Sequence, residues 1–431
     1  MRYISTNRKT APTTFYKAVL AGLAPDGGLF VPEHIPLPDV SAIRRFANMS
    51  LPEIAFVVAK PFMQPDFTDE EIKQIVDESL TMPVPLVQVD EKIWALELFH
   101  GPTLAFKDVG ARFLARVLGR LAGREKKKII ILTATSGDTG GAVAHAFHRV
   151  PGVEVVILYP RGRISAMQER QIATLGANIW PVRINGTFDD CQRLVKDTFS
   201  GFEPGNVIVT SANSINLARW LPQSFYYFYA WSRLSGKAPV VFSVPSGNFG
   251  NLSAGVLAQK MGLPVQAWVA ATNINDVVPE YLRTAMFSPR PSVPTISNAM
   301  DVGNPSNFSR LCYLYGESYE QLSQHLSGYA FTDNLTREAI AEVYRKYNYV
   351  LDPHTAIAYL GICTYRQKHP ESEGVFLATA HPAKFPDVVQ EATGKPVPLP
   401  ELLAALSGKP VKSRDFEPSL SGLSEFIREL I

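Results

Sequence analysis

From about residue 93 onwards, short apolar runs alternate with segments that have the apolar spacing of helices. The runs KKKIIILTAT (126–135), VEVVILYP (153–160) and APVVFSVPSG (238–247) are rich in β-branched residues and show little polar alternation. Such continuous runs are typical of parallel strands that helices bury on both faces. The pattern therefore predicts an α/β fold of open, mainly parallel sheets with flanking helices, in which ligands bind beyond the carboxyl ends of the strands.

The first 85 residues have a different pattern, which predicts a small, mostly helical N-terminal unit. The segment GLAPDGGLFVP (22–32) is rich in turn-forming residues,. Helices are expected near 50–60 and 68–80. The second would begin with a capping box, because Thr68 precedes Glu71 by three residues,.

Residues 272–335 interrupt the α/β pattern. Their segment SPRPSVPTISNAMDVGNPSN (288–307) is rich in Pro, Ser and Asn and has few periodic apolar positions. The sequence predicts an irregular insert here, which is either a functional loop or a subdomain. A long helix is expected before the insert, over 213–233. The predicted organisation is an N-terminal unit (1–85), an α/β region that carries the insert (86–396) and a short helical tail (397–431).

Composition excludes several classes of protein. The 431 residues carry a net charge of only +2, from 42 basic and 40 acidic side chains, which argues against a nucleic-acid partner,. No apolar run approaches the ~20 residues that cross a bilayer, so no membrane partner is expected. The eight histidines have no metal-ligand spacing, and no metal site is expected,. Three scattered cysteines and an N-terminus without an apolar signal core favour the cytoplasm,.

Two glycine-rich turns, TSGDTGG (135–141) and SGNFGN (246–251), each follow a predicted strand and precede a predicted helix. The free N–H groups and dipole of a helix N-terminus favour an anion there. The alternative is an ordinary turn in which Asp or Thr caps the helix. Because the turns are assigned to successive strand–helix units of one sheet, we expect them to bind two anionic groups close to one another.

Lys107 lies in HGPTLAFKDVGARF (100–113), after an apolar stretch and at the start of a predicted helix. A lysine in apolar surroundings has a lowered pKa and can act as a nucleophile. Residue types alone favour the alternative of a solvated lysine beside a capping Asp108. Thr379 and His381 follow a later strand. Thr379 could bond a ring nitrogen of a cofactor or be an ordinary strand residue, and His381 could be a general acid–base or structural.

Taken together, the motifs resemble those of the threonine synthases, which are pyridoxal-phosphate enzymes of fold type II, also called the tryptophan synthase β-like fold. The resemblance extends from residue 3 to residue 385, and the matching segments keep the family's order. They are YISTN, GLAPDGGLFVP, ELFHGPTLAFKD, TATSGDTGGA, SANSINLARW, SVPSGNFGN and LATAHPAKF.

The resemblance implies roles for individual residues. Lys107 would carry pyridoxal phosphate and transfer protons, and Thr379 would bond its pyridine nitrogen. Asp138 would lie near the cofactor's 3-oxygen, where many relatives have Asn, so its carboxylate would need a proton or a hydrogen-bond donor. The cofactor phosphate would be held by Gly247, Asn248, Phe249, Gly250 and Asn251.

The resemblance also implies a reaction, the last step of threonine biosynthesis. O-phospho-L-homoserine and water would become L-threonine and phosphate through γ-elimination and β-addition of water. The turn formed by Ser136, Gly137, Asp138 and Thr139 would bind the substrate's α-carboxylate, and the 272–335 insert would close over the site. Candidate ligands of the substrate phosphate are Arg161, Arg163, Asn216 and Lys384.

Two alternatives share these motifs. A threonine-synthase-like phospho-lyase would release phosphate, ammonia and 2-oxobutyrate from the same substrate. A non-catalytic protein would bind pyridoxal phosphate without turnover, although the intact Lys107 argues against this. The partner is expected to be the small-molecule substrate, and the chain to be a monomer or homodimer.

Overall fold

The α/β part of the chain is built on two sheets. The computed structural model describes residues 1–37, 40–202, 205–234, 236 and 238–431. A six-stranded sheet has the order β11-β10-β9-β12-β4-β3, and a five-stranded sheet has the order β13-β7-β6-β5-β8. All neighbouring strands in both sheets are parallel except the hairpin β3–β4. The predicted fold class of mainly parallel sheets is confirmed.

The strands are short, as the apolar runs predicted. A small antiparallel pair belongs to the N-terminal unit, and its strands are β1 (Tyr3–Ser5) and β2 (Phe30–Pro32). The six-stranded sheet contains β3 (Leu86–Asp90), β4 (Ile93–Glu97), β9 (Val240–Pro245), β10 (Ala267–Thr272), β11 (Leu326–Ala330) and β12 (Glu373–Ala378). The five-stranded sheet contains β5 (Lys128–Ala134), β6 (Val153–Pro160), β7 (Ile179–Ile184), β8 (Val207–Ser211) and β13 (Arg414–Phe416).

Helices form the N-terminal unit and cover the sheets. In the first half of the chain they are α1 (Phe15–Ala21), α2 (Val40–Arg45), α3 (Leu51–Met63), α4 (Asp69–Ser79), α5 (Lys107–Glu125), α6 (Asp138–Phe147), α7 (Ala166–Ala173), α8 (Phe188–Gly201) and α9 (Leu217–Trp220). The later helices are α10 (Phe225–Arg233), α11 (Gly250–Lys260), α12 (Val277–Thr284), α13 (Phe308–Leu314), α14 (Tyr319–His325), α15 (Asp333–Tyr347), α16 (Pro353–Arg366), α17 (Pro386–Thr393), α18 (Glu401–Ala404) and α19 (Leu420–Glu429).

The central strands are buried on both faces, which explains their composition. Ile129, Ile130 and Ile131 are consecutive in β5, so their side chains point alternately to opposite faces, yet all three are fully buried,. Each such side chain contributes about 1.5–3 kcal/mol of burial free energy relative to exposure. Helices therefore have to cover both faces of the sheet. Within the described residues, no helix has the length and apolar character needed to cross a bilayer.

The two helices expected near 50–60 and 68–80 are present as α3 and α4. α4 begins with a capping box, in which the Thr68 hydroxyl accepts from the backbone N–H of Glu71 and the Glu71 carboxylate accepts from that of Thr68. The Tyr3 hydroxyl donates to the carbonyl oxygen of Phe62 at 2.6 Å. Phe15 packs between Tyr3 and Phe67. These aromatic residues belong to the same hydrophobic core as Phe113 of α5 and Trp220 of α9, so the N-terminal segment packs directly on the α/β region.

A buried arginine connects this unit to the α/β region. Arg310 on α13 is fully buried, and its guanidinium donates to the carbonyl oxygens of Phe30, Ser214 and Ile215 at 2.8–3.1 Å. It also donates to the side-chain oxygen of Asn307 and stacks over the ring of Trp220. Burial lowers the pKa of Arg310 to about 9. One side chain therefore fixes three distant segments.

Three expectations about elements were wrong. The helix expected over 213–233 is divided into α9, a 3₁₀ turn (Leu221–Ser224) and α10, because Pro222 lacks a backbone donor,. The 272–335 insert is not irregular throughout, since it contains α12, α13, α14 and β11. The tail supplies the edge strand β13 in addition to helices. β11 and β13 carry too few alternating apolar residues to be recognised as strands,.

Candidate active site

The carboxyl ends of strands from both sheets meet at one cavity of about 730 Å³. Ala134 at the end of β5, Pro160 at the end of β6 and Pro245 at the end of β9 line it, as does Thr379 just after β12. Cavities of this size suit small molecules. The two glycine-rich turns lie on different sheets, so the expectation that they belong to one sheet was wrong. Both turns nevertheless line the same cavity.

Lys107 is the first residue of α5, and its amine lies in this cavity. The side chain is only 17% exposed. Burial lowers the pKa of Lys107, and this effect exceeds the opposing attraction of Asp138, whose Oδ2 lies 3.8 Å from Nζ. The lysine therefore has the desolvated surroundings of a reactive amine.

The loop before Lys107 is held by the neighbouring Asp108. This buried carboxylate accepts from the backbone N–H of Thr103 at 2.9 Å and from its hydroxyl at 2.7 Å. Gly101 is required at the start of the loop, because a Cβ there would lie 2.4 Å from Asp108 Oδ2. Asp108 thus organises the loop and, being buried, is not an exposed capping residue.

The 247–251 turn presents a row of unpaired amides. Within the described residues, none of the backbone N–H groups of Gly247, Asn248, Phe249, Gly250 and Asn251 donates to a protein acceptor. Phe249 has a φ of +58°, which turns the chain into α11. Free amides at a helix N-terminus bind phosphate without a charged side chain. The donor set therefore fits the phosphate of pyridoxal phosphate.

The 135–141 turn presents a second group of amides at the start of α6. The hydroxyl of Thr135 accepts from the N–H groups of Gly137 and Gly140 at 2.9 and 2.8 Å and thereby shapes the turn. The backbone N–H groups of Ser136, Asp138 and Thr139 have no acceptor within the described residues. This group suits a second anion, such as a carboxylate.

The buried carboxylate of Asp138 has two hydrogen-bond donors that compensate a negative charge. Its Oδ1 accepts from Lys384 Nζ at 2.7 Å and from Gln168 Nε2 at 3.1 Å. Burial alone would raise the pKa of Asp138, but Lys384 and Lys107 outweigh it and hold the pKa well below its usual range. The carboxylate needs no proton of its own, because it has the donors that a buried charge requires.

Thr379 lies on the cavity wall. Its carbonyl oxygen accepts from the backbone N–H of Phe106, and its hydroxyl has no partner within the described residues. His381 lies outside the cavity lining, where its Nδ1 accepts from the backbone N–H of Ala383 and caps a 3₁₀ turn. The geometry gives His381 a structural role.

Most of the residues expected at the site line the cavity. These are Lys107, Ser136, Asp138, Thr139, Arg163, Gly247, Asn248, Phe249, Gly250, Asn251 and Thr379.

Four expected residues do not line it. Gly137 has a φ of +133° and packs against Gln168. Arg161 is exposed to solvent. Asn216 is fully buried and caps α9, while its amide donates to the carbonyl oxygens of Val19 and Ser211. The assignment of Asn216 to the substrate phosphate was therefore wrong.

Lys384, also expected to bind the substrate phosphate, is 1% exposed and directed elsewhere. Its amine bonds Asp138 and the carbonyl oxygen of Thr103. A lysine in this position cannot reach a ligand without breaking both contacts, so this assignment was wrong as well.

Arg219 was missed by sequence reasoning. Only 4% exposed, it lines the cavity, and its guanidinium donates to the carbonyl oxygen of Ala212 at 2.7 Å. Its Nε has no acceptor, and no carboxylate lies within ion-pair distance among the described residues. Burial lowers the pKa of Arg219 to about 10. A buried cation without a carboxylate partner beside a cavity suits an anionic ligand. The sequence signal that could have revealed Arg219 was its position as a lone arginine in the mostly apolar segment INLARWL.

The segment 290–303 forms one wall of the cavity and is tied to its surroundings at both ends. The carboxylate of Asp301 accepts from Asn273 and from the hydroxyl of Thr295 at 2.9 and 2.7 Å. The N–H of Ala299 donates to Nε2 of His354 at 3.2 Å. His354 therefore carries its proton on Nδ1, 2.8 Å from Asp352,. Among the described residues, no cluster of His, Cys, Asp and Glu suits a metal ion.

Comparison with known proteins shows three matching family models. Residues 2–80 match the model described as the threonine synthase N terminus, and residues 355–427 match that of the threonine synthase C-terminal region. Residues 80–380, most of the chain, match the model described as a pyridoxal-phosphate dependent enzyme.

Individual relatives agree along the whole chain. Threonine synthase from Escherichia coli is 43% identical over 88% of this chain and 87% of its own length, and the one from Haemophilus influenzae is 45% identical over 88% of each. The crystal structure of the E. coli enzyme superposes with a TM-score of 0.94 over both entire chains at 40% identity. A pyridoxal-phosphate-bound threonine synthase from Brucella melitensis gives 0.93 at 36% identity, covering 100% of this chain and 99% of its own.

Proposed function

Because this chain belongs to the threonine synthase family, we propose that its cavity converts O-phospho-L-homoserine and water to L-threonine and phosphate with the help of pyridoxal phosphate. One observation carries the proposal. The desolvated amine of Lys107 shares a cavity with two groups of unpaired amides, at 247–251 and at 136–139. An enzyme that binds a phosphorylated cofactor and an amino acid needs this combination of a reactive amine and two anion sites.

The residues that would hold the cofactor follow from the donor set. Lys107 would attach it covalently through its amine. The amides of 247–251 would bind its phosphate, and the unpartnered hydroxyl of Thr379 would bond its ring nitrogen. Asp138, whose carboxylate bonds Lys384, lies beside the nitrogen of Lys107 and would orient a proton on it.

The chemistry separates into what the cofactor supplies and what the chain does. When bound, pyridoxal phosphate supplies an electron sink that acidifies the hydrogens next to a substrate's amino group. Lys107 then has to accept and return protons, which requires its amine to be uncharged. The lowered pKa of Lys107, caused chiefly by burial, increases the uncharged fraction near neutral pH.

The remaining groups would bind the two anionic ends of the substrate. The amides of Ser136 and Thr139 would hold its α-carboxylate. Arg219 would bind its phosphate, because this guanidinium is buried at the cavity wall without a carboxylate partner. Arg163, at the exposed edge of the cavity, would assist when the phosphate leaves. The 290–303 wall would limit the access of water.

The proposal is tested by incubating pyridoxal-phosphate-loaded protein with O-phospho-L-homoserine and measuring phosphate, threonine and 2-oxobutyrate in the same samples. Equal amounts of phosphate and threonine are expected. Phosphate with 2-oxobutyrate and no threonine would show a phospho-lyase that uses the same site. Absence of phosphate would contradict the proposal and point to a non-catalytic protein. Lys107→Ala protein is the blank, because it retains the cavity but lacks the amine.

We also propose that the protein acts in the cytoplasm as a monomer or homodimer. The described cysteines Cys191, Cys312 and Cys363 are free thiols, which suits a reducing compartment,. Light scattering coupled to size-exclusion chromatography would give a mass of about 47.5 kDa for a monomer, or about twice that mass for a homodimer,. A larger assembly would contradict this part of the proposal.

A further inference from the structure

We propose that Lys384 is a positioning residue that keeps the amine of Lys107 uncharged by binding Asp138 in its place. The inference rests on the proposed role of Lys107. It adds a role for the side chain of Lys384, which does not line the cavity. It assigns a function to the lysine of the HPAKF segment that substrate binding does not explain.

The geometry of the three charged groups is asymmetric. Lys384 Nζ lies 2.7 Å from Oδ1 of Asp138, within hydrogen-bond distance, whereas Lys107 Nζ lies 3.8 Å from Oδ2. Lys384 is also held by the carbonyl oxygen of Thr103 at 3.0 Å. Gln168 donates to the same Oδ1 and fixes the carboxylate from the other side. Asp138 is therefore paired with Lys384, which is held in place by two contacts. Lys107 makes only the longer and weaker contact with Asp138.

Charge balance explains why this matters. Two lysines and one carboxylate carry a net charge of zero only if one lysine is uncharged. A buried excess charge is unfavourable, and the lysine that loses its proton is the one with the weaker contact. Without Lys384, the carboxylate would have Lys107 as its remaining cationic partner. Their attraction would then hold the Lys107 amine protonated, a form that neither attacks a carbonyl nor accepts a proton.

The other charged groups near Lys107 act in the same direction or are already neutralised. Arg219 on α9 adds a second positive charge, which disfavours protonation of Lys107. Asp352, the N-cap residue of α16, attracts the proton but bonds the His354 ring. Around Lys384, the neighbouring ionisable groups are Asp108 on α5, His145 on α6 and His381 in the preceding turn. Among the described residues, Asp138 alone lies within ion-pair distance of both lysines.

The test is a spectrophotometric pH titration of the cofactor-free protein, in which the initial rate of attachment of added pyridoxal phosphate is followed by absorbance at each pH. Only the uncharged amine of Lys107 attacks the carbonyl, so the midpoint of the rate against pH reports the protonation of this amine. Lys384→Met removes the competing charge, and Lys384→Gln does so while keeping a hydrogen-bond donor in case the first variant does not fold. We expect the titration midpoint to rise by about one pH unit or more in both, because an unshared opposite charge at this distance shifts a pKa by roughly 1–3 units. Lys384→Arg should stay close to the wild type.

Two further variants separate electrostatics from packing. Asp138→Asn should move the midpoint down, since it removes the attraction and leaves two positive charges. Lys368→Met, which removes an exposed lysine, should change nothing. A merely structural role for Lys384 would not move the titration midpoint up in the Lys384 variants and down in Asp138→Asn. Neutral variants at Lys384 whose midpoint equals that of the wild type would overturn the proposal.

The same shift should appear in catalysis. The acid limb of the pH profile of kcat should move up in Lys384→Gln, because Lys107 has to be uncharged to accept a proton. The spectroscopic titration needs no substrate. A protein whose variants showed the shifted midpoints but that formed no threonine would therefore contradict the proposed function and leave the role of Lys384 standing. Threonine formation without the shifted midpoints would support the proposed function and contradict the role of Lys384.

Discussion

The backbone N–H of Phe106 donates to the carbonyl oxygen of Thr379 at 2.9 Å, and Ala105 forms an antiparallel bridge with Ala380. This contact aligns two segments that lie at opposite ends of the α/β region. Since Lys107 and Thr379 directly adjoin it, their positions are fixed by backbone bonds and do not depend on side-chain packing alone. The Lys107 amine and the Thr379 hydroxyl, which would hold two sides of the cofactor ring, are preorganised in this way.

Replacement of Lys107 by alanine should abolish turnover. The amine is both the attachment point and the group that transfers protons, and general acid–base catalysis alone contributes on the order of 10²–10⁴-fold. Phosphate release from O-phospho-L-homoserine is the measurement. Lys368→Ala, an exposed lysine, should retain full activity. Normal activity in the Lys107 variant would refute the central assignment.

Replacement of Arg219 by lysine should weaken substrate binding more than cofactor binding. A hydrogen bond to a charged group contributes about 1.5–3 kcal/mol, so we expect KM to rise by roughly 10–100-fold. The affinity for pyridoxal phosphate should change little. Arg161→Lys is the matched control, because this arginine is exposed and outside the cavity. Equal effects of the two substitutions would count against Arg219 as the anion ligand.

Replacement of Gly247 by alanine should lower the affinity for pyridoxal phosphate. A Cβ there would lie 2.7 Å from Cα of Met300, so the 247–251 turn and the 290–303 wall would have to separate. Gly123 in α5 serves as the control, because a Cβ added to it would meet no atom within 4 Å. Gly123→Ala should stabilise the helix by roughly 0.5–1 kcal/mol. Cofactor titration and thermal melting distinguish the two outcomes, and unchanged affinity in Gly247→Ala would contradict the cradle.

Stability should fall as the pH decreases from about 6.5 to about 4 because of His145. Burial lowers the pKa of His145 from 6.5 to about 4, so the unfolded chain binds a proton in this window that the folded chain does not,. Protons therefore favour unfolding, by at most about 1.4 kcal/mol per pH unit. Urea denaturation at pH 7 and pH 5 measures the effect. His145→Gln should reduce the slope, and an unchanged slope would exclude His145 as its source.

The sequence was informative where backbone chemistry decides the structure. The buried strands, the capping box at Thr68 and the two glycine-rich turns were recognised because propensity and spacing are local properties. The resemblance then identified Lys107, which residue types alone did not. What remained hidden was which sheet each turn belongs to, since strand order depends on contacts between distant segments.

Side-chain direction explains the errors at the site. Lys384 and Asn216 have suitable chemistry for binding phosphate, but one bonds Asp138 and the other caps α9. Arg219 was overlooked because the long side chain of a single arginine in an apolar helix usually lets its guanidinium reach solvent. Its place at the cavity wall became visible only when its burial and its unpartnered Nε were known.

Arg310 links the 247–251 turn to a segment near the start of the chain. Asn248 of the 247–251 turn donates to the hydroxyl of Ser214, whose carbonyl oxygen is bound by Arg310. The same guanidinium reaches back to the carbonyl oxygen of Phe30, near the start of the chain. A nascent chain that has emerged as far as the turn therefore lacks the support behind it. The contacts that support the 247–251 turn through Ser214 are therefore complete only once residue 310 has been synthesised.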